Sequence, residues 1–359
     1  QKITYTVGDG SVFNPTSTTT SGSADTLPYY AYKTLTTVVY EEGISEVPDR
    51  ALYRYNYSYE KLTSVTLPST VKKIGEQAFR DCPNLADIVI PKGVESIGAY
   101  AFYNCSSLKE IDISNLTEIS AYAFYNCSGL TSVTIPNAVT KIDTNAFYGC
   151  SGLKEVTLPI SAEYRVDGKL DYKSLDSFAG CGNVQKITYT VGNGTVFAHG
   201  QKYTLPGYAR SALTTVVYEE GIPEIPEYAL NNCSKVTTVT LPSTVTKIGN
   251  YAFYSCTSLP SIAVPECTKS IGDFAFYGCS SLESTGSLKN VGTIGAYAFY
   301  NCSSLKEIDI SNLTEISGYT FYNCSGLTSV RIPDVVKTIG DAAFYGCSGL
   351  TEVTLPMRA

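Results

Sequence analysis

Apolar and polar positions along this chain recur every 22 or 23 residues. The fullest copy runs from Leu62 to Leu85 and reads L-x-x-V-x-L-P-x-x-V-x-x-I-G-x-x-A-F-x-x-C-x-x-L. The first part of each unit alternates. Leu130, Val133 and Ile135 are apolar, while Ser132 and Thr134 between them are polar. A period of two puts the apolar set on one face of a β-strand, and Pro136 ends that strand. A second apolar pair follows, Val139 with Ile142, and then the short segment Ala146-Phe147 with its Phe inward. That segment is too short for a regular helix and is expected as a single α or 3₁₀ turn.

Strands are predicted at 2–7, 36–40, 64–68, 87–91, 110–114, 132–136 and 155–159. The later part of the chain repeats them at 186–191, 214–218, 238–242, 261–265, 307–311, 329–333 and 352–356. The rung near 283–288 is degenerate: Thr285 and Ser287 take core positions and Leu288 is out of phase. A unit of this length cannot bury its own apolar side chains, so it must stack on its neighbours. The predicted fold is a mainly-β repeat solenoid with short helical or 3₁₀ turns.

A second level of duplication lies over the first. QKITYTVG at 1–8 returns at 185–192, and AFYNCSSLKEIDI at 101–113 returns at 298–310. The expected organisation is one continuous solenoid over 1–359, made of two duplicated halves, about 1–184 and 185–359. Insertions rich in Ser, Thr, Gly and Tyr interrupt the period near 8–33, 160–175 and 192–212 and are expected to loop out of the stack. The second half starts with the remainder of a unit, Phe178–Val184, that the first half lacks, and no polar cap covers either terminal rung. The chain is therefore expected to be cut from a longer protein.

Twelve cysteines keep the same ruler. Apart from Cys267, they sit 22 or 23 residues apart from Cys82 to Cys150 and from Cys233 to Cys347. One Cys per turn reads as a column of buried free thiols, although neighbouring rungs are near enough that distance alone does not exclude disulfides. A serine in place of Cys127 is expected to cost a few kcal/mol by burying a hydroxyl without a partner.

The unit from Leu62 to Leu85, and above all its A-F-x-x-C-x-x-L core, resembles the BspA-like leucine-rich-repeat family over almost the whole chain. The resemblance implies a right-handed, curved leucine-rich-repeat solenoid with a parallel sheet along its concave side. It also implies a surface or secreted protein of the kind found in oral and gut bacteria and some mucosal protozoa, where several members act as adhesins. The family motif contains no catalytic residue.

Composition narrows the chemistry. The net charge is -7 and no basic cluster is present, which argues against nucleic acid. No apolar run reaches the length needed to span a bilayer. The single histidine, His199, sits in an insertion without a partner, so any Ser-His-Asp or Cys-His scheme would depend on a surface residue. Gly192-Asn193-Gly194 reads as a tight turn rather than a dinucleotide fingerprint. Glu110 with Asp112 and Glu307 with Asp309 share a strand face, where solvation is favoured over a cation. Arg331 and Val89 interrupt a column of outward threonines. Asn-Cys-Ser at 104, 126, 232, 301 and 323 matches a glycosylation acceptor, yet its place in the repeat marks the Asn as a turn residue bonding backbone.

Tyrosine is the compositional anomaly, with 29 Tyr and no Trp. One column precedes the Ala: Tyr100, Tyr122, Tyr251, Tyr297 and Tyr319. The other follows the Phe: Tyr103, Tyr125, Tyr148, Tyr254, Tyr277, Tyr300, Tyr322 and Tyr345. Stacked tyrosines shield the spine, and they also present an amphipathic surface suited to protein or glycan. The second column is the candidate contact surface. No cofactor, metal or catalytic group is expected. The expected function is a non-enzymatic, extracellular or cell-surface binding module, a monomer whose partner is an extracellular protein or glycan. A rigid spacer that carries another domain is the alternative.

Overall fold

The computed structural model describes residues 1–6, 31–53, 58–160, 177–192 and 205–356. Most of the three insertions lies outside the described residues, as does His199. Where two insertions end, the chain is helical for about one turn, at Ala31–Thr34 and Leu205–Ala209. The described residues form two compact units, one chiefly of residues 1–160 and 177–183, the other chiefly of 184–191 and 205–356.

In the first unit Lys2–Tyr5, Thr37–Tyr40, Ser64–Thr66 and Asp87–Ile88 form a parallel sheet in chain order. Val38 lies beside Val65, and Val65 beside Ile88. Further along, Ser132–Thr134 pairs with Glu155–Pro159, and Val133 meets Val156. The second unit repeats the arrangement. Lys186–Thr190, Thr215–Tyr218 and Thr238–Thr240 pair in order, and Ser329–Arg331 pairs with Glu352–Thr354.

A second set of parallel strands, each only two residues long, lies one turn after the first. Glu46–Val47, Lys73–Ile74 and Ser96–Ile97 form one group, and Glu118–Ile119 pairs with Lys141–Ile142. In the second unit Glu224–Ile225, Lys247–Ile248, Ser270–Ile271 and Thr293–Ile294 do the same. The apolar pair was legible, but two residues are too few for alternation to declare a strand. Cross-strand pairs such as Lys73–Glu46 and Lys247–Glu224 sit here, 3.9 and 3.6 Å apart. Exposed as they are, each contributes about 0–1 kcal/mol.

Three predicted strands do not form. Residues 110–114 and 307–311 carry no strand, and 261–265 keeps a single bridge, Ser261 to Ser284. The first two lie in 22-residue units. There Asp112 and Asp309 accept the N–H of Ser114 and Ser311, 3.0 and 3.1 Å away, and such local bonding competes with ladder pairing. The third faces the slipped rung. Gly286 stands there at φ +67°. Thr285 is buried as predicted, Ser287 is exposed against prediction, and Leu288 returns to the core.

The Ala-Phe segment differs from the expected helical turn. Ala101 N–H bonds Gly98 O, Tyr103 N–H bonds Tyr100 O and Cys105 N–H bonds Phe102 O, so one N–H in two makes a three-residue return. The N–H groups between them leave the segment: Tyr100, Phe102 and Asn104 donate to Ala121, Ala123 and Tyr125 of the next rung. Tyr100 and Asn104 have φ of +57° and +59°. A positive φ at the third residue of a turn is the type II requirement, and it reverses the chain before a helix can propagate.

The core is the repeated apolar set. Ile135, Val139, Ala146, Phe147 and Cys150 are buried in one rung, as are most of their equivalents, although Ser287 and Leu355 are exposed and Phe344 is half-buried. Phe79, Phe102, Phe124, Phe147 and Phe178 stack with centroids 5.2 to 5.6 Å apart. Phe253, Phe276, Phe299, Phe321 and Phe344 do likewise at 5.0 to 5.6 Å. All twelve cysteines are free thiols, and all but Cys267 are buried. Most column thiols in turn donate to a main-chain carbonyl one rung back, whereas Cys82 reaches Arg80 O of its own turn at 3.9 Å. Cys105 reaches Phe79 O, Cys127 reaches Phe102 O and Cys302 reaches Phe276 O, all at 3.1 Å.

Candidate functional site

The tyrosines stand on the Ala-Phe turns, and the turn geometry aims them. Inward-facing Phe102 fixes its neighbour Tyr103 at the edge of the stack, half-buried rather than fully outward. Tyr103, Tyr125 and Tyr148 form a ladder in the first unit, with centroids 4.6 and 4.9 Å apart and planes within 7°. Tyr254, Tyr277, Tyr300, Tyr322 and Tyr345 form its counterpart in the second unit, at 4.6 to 5.0 Å. The column before the Ala makes parallel ladders, Tyr100 on Tyr122 at 4.7 Å and Tyr228 on Tyr251 at 4.7 Å, with Phe274 standing in for one tyrosine. The two ladders touch through tilted pairs such as Tyr122 with Tyr125 at 5.7 Å.

This geometry changes what the tyrosines can offer. Each ring face within a ladder is covered by the next ring, so the surface presents ring edges and hydroxyls. Partial desolvation, and then the neighbouring phenols, push the hydroxyls of Tyr277 and Tyr322 above the ordinary tyrosine value. They act as neutral hydrogen-bonding groups near neutral pH.

Two residues that the sequence reading passed over sit at the head of the first ladder. Arg80 occupies the slot that Tyr103 fills one rung later. Its guanidinium lies 4.8 Å from the ring centres of both Tyr53 and Tyr103, and 5.4 Å from that of Tyr100. Its Nε–H donates to Asp81 Oδ2 at 3.2 Å. Asp81 starts a second ladder: Asn104 Nδ2 donates to Asp81 Oδ1 at 2.8 Å, and Asn126 Nδ2 to Asn104 Oδ1 at 3.1 Å. The asparagines are turn residues, as predicted, but they bond one another rather than backbone. The column ends at Gly149, whose φ is +72° and where an added Cβ would collide with Asn126 Oδ1. Beside these side chains runs an open groove of about 810 Å³, floored by the serines at Cys+1, Ser106, Ser128 and Ser151. The signal for this site was the break in repetition, a charged Arg-Asp where most other units have Tyr followed by Asn, Gly or Ser.

The remaining candidates resolve into local structure. The backbone N–H and hydroxyl of Ser114 hold the Asp112 carboxyl below the usual carboxylate range. At Asp309 burial pushes the carboxyl up, but bonds from Ser311 and Ser287 outweigh it and leave the value lowered. Among the described residues no cluster of three or more His, Cys, Asp or Glu could hold a metal ion. Val89, just past its two-residue strand, is 74% exposed, and Arg331 is exposed at the end of its strand. Burial pushes the column thiols far up, to about 12 at Cys181 and Cys279. Such thiols are packing groups and not nucleophiles. Among the described residues no helix is long and apolar enough to cross a membrane.

Stacked 22- to 23-residue units, parallel strands and an inward Leu, Phe and Cys per turn define a leucine-rich-repeat solenoid. The BspA type leucine-rich repeat region matches six copies, over residues 50–166, 207–325 and 269–358, and the chain belongs to that family. No curated protein matches the sequence. Solved structures resemble it. A leucine-rich repeat protein from Bacteroides ovatus is 26% identical, with 86% of each chain covered and a TM-score of 0.44. One from Eubacterium ventriosum is 19% identical over 99% of this chain and 90% of its own, with a TM-score of 0.35. A leucine rich cell surface protein from Faecalibacterium prausnitzii is 25% identical over 88% and 84%, with a TM-score of 0.29.

Proposed function

We propose that this chain is a non-catalytic binding module, displayed at a bacterial cell surface or secreted, that adheres to a host protein, a glycan or a neighbouring cell. Membership of the BspA type family supports a role in interaction rather than turnover. The observation that carries the reading is the departure from repetition at Arg80 and Asp81. Structural positions recur from rung to rung, whereas this charged pair, wedged between tyrosine rings and facing an open polar groove, does not. The described residues offer little for acid-base or nucleophilic chemistry, since the buried thiols stay protonated.

The test is binding of the purified chain to immobilised matrix proteins, mucins and epithelial surfaces. Saturable binding in the micromolar range or tighter is the expected result, about -8 kcal/mol. No binding to any of them would favour a second reading, a spacer that carries another domain. The ladders of rings and inter-rung hydrogen bonds within each unit are the observation in its favour.

A further inference from the structure

Resting on the surface-binding reading above, we infer that the groove beside Arg80 and Asp81 binds a short, extended, neutral oligosaccharide. The lining sets the class of ligand. Amides of Asn104 and Asn126 and hydroxyls of Ser106 and Ser128 dominate it, with Pro83 as the one aliphatic side chain. A peptide anchored by an apolar side chain needs a desolvated pocket, and this open trough provides none. A polyhydroxylated ligand matches it, because hydroxyls both donate and accept and so use amide, hydroxyl, guanidinium and carboxylate alike.

Charge narrows the class further. Arg80 and Asp81 are 3.2 Å apart and neutralise each other, so the groove has no net charge to reward an anionic sugar. The pair still offers strong hydrogen-bonding groups. The guanidinium has five N–H donors; Nε–H serves Asp81, and Nη1 reaches Gln77 Oε1 at 3.4 Å. Tyr53 and Tyr103 hold it flat from two sides, so little ordering remains to oppose binding.

Periodicity supplies the length. Each rung adds one Cys−1 residue and one Cys+1 residue: Asp81 with Pro83, Asn104 with Ser106, Asn126 with Ser128, Gly149 with Ser151. Rungs spaced at about 4.8 Å make the trough about 14 Å long, enough for a tri- to tetrasaccharide whose own hydroxyls repeat at a comparable step. Gly149 leaves the far end without a side chain.

The fold does not require this arrangement. In the second unit Asn231 and Asn232 replace Arg80 and Asp81, and Asn232 turns its amide onto Asn231 at 2.9 Å. Ser255 and Gly278 then interrupt the asparagine column.

The experiment is calorimetric titration of the whole chain with linear neutral gluco-, galacto- and manno-oligosaccharides, beside oligogalacturonate and sialyllactose. Affinity should rise with length and level off at the tetrasaccharide. Arg80→Ala should weaken binding about tenfold or more. Ser128→Trp, a surface change that fills the floor, should abolish it, and Asn231→Ala in the second unit should leave it unchanged. Circular dichroism of each variant checks folding, and retained glycan binding by a folded Ser128→Trp chain would overturn the inference. So would tighter binding of the anionic sugars, or no neutral sugar bound at about 10 mM. If sugars fail while a matrix protein or mucin-free cell surface still binds, the groove inference falls and the adhesion reading stands. If nothing binds, both fall.

Discussion

Cys127 is buried, yet it is not merely a small hydrophobe. Its thiol lies 3.1 Å from Phe102 O, a carbonyl that also accepts the Cys105 N–H, and the same contact recurs along both units. This revises the expectation for serine at that position, because the hydroxyl has an acceptor waiting. Cys127→Ser is expected to cost about 1 kcal/mol, the difference between a good and a slightly long hydrogen bond. Cys127→Val, which fills the space but donates nothing and adds a methyl, is expected to cost about 1–3 kcal/mol. Urea unfolding of the two variants checks the order, and a larger loss for serine would refute the thiol's role as donor. The Cys spacing made burial legible, but not this bond, since its acceptor belongs to a residue 25 positions away.

The tyrosine ladder is a property of neighbouring turns and not of any one of them. Tyr125 stacks between Tyr103 and Tyr148 and leans on Tyr122, whereas Tyr345 has one stacked neighbour and is 64% exposed. Tyr125→Ala is expected to cost about 2–3 kcal/mol, and Tyr345→Ala about 1 kcal/mol or less. Thermal or urea melts of the pair check this, and equal losses would mean that stacking adds nothing beyond exposure. The backbone beneath carries a cost. Tyr100, Tyr122, Tyr251, Tyr297 and Tyr319 all have φ near +57°, a conformation that costs a bulky residue about 1–3 kcal/mol. Asn or Gly at Cys−1, in most rungs, was the visible sign of a left-handed position. Tyr at the other left-handed position gave no such sign, because its conformation is imposed by hydrogen bonds to the next rung.

At the scale of the molecule, the buried thiols couple stability to alkaline pH. Their pKa values rise on folding from an ordinary 9.0, reaching about 12 at Cys181 and Cys279, with desolvation as the main cause. A group whose folded pKa exceeds its unfolded value stabilises fully below the unfolded value and loses that contribution as pH rises toward the folded one. The urea midpoint is therefore expected to be insensitive to these groups below pH 9.0 and to fall steadily toward pH 12. Substituting the thiols singly should flatten the decline in proportion, and an alkaline midpoint unchanged by those substitutions would refute the assignment. In the native chain Cys267 is the exposed thiol and should react first with a thiol reagent, with all twelve reacting after unfolding.

The fold was legible because the period is its own proof: an inward Leu, Val, Ile, Phe and Cys in each unit leave stacking as the way to bury them. Strand alternation, the proline stops and the free thiol column follow from the same local pattern. Contacts across rungs were not legible. The two-residue strands and the guanidinium wedged between Tyr53 and Tyr103 depend on residues about 22 to 27 positions apart meeting in space. By itself the sequence determined which side chains form the spine, since burial follows from periodicity. The tertiary structure decided what lines the surface, since hydrogen bonding and ring stacking are set by geometry between rungs. It covered the faces of the tyrosines and left Arg80 and Asp81 beside an open groove.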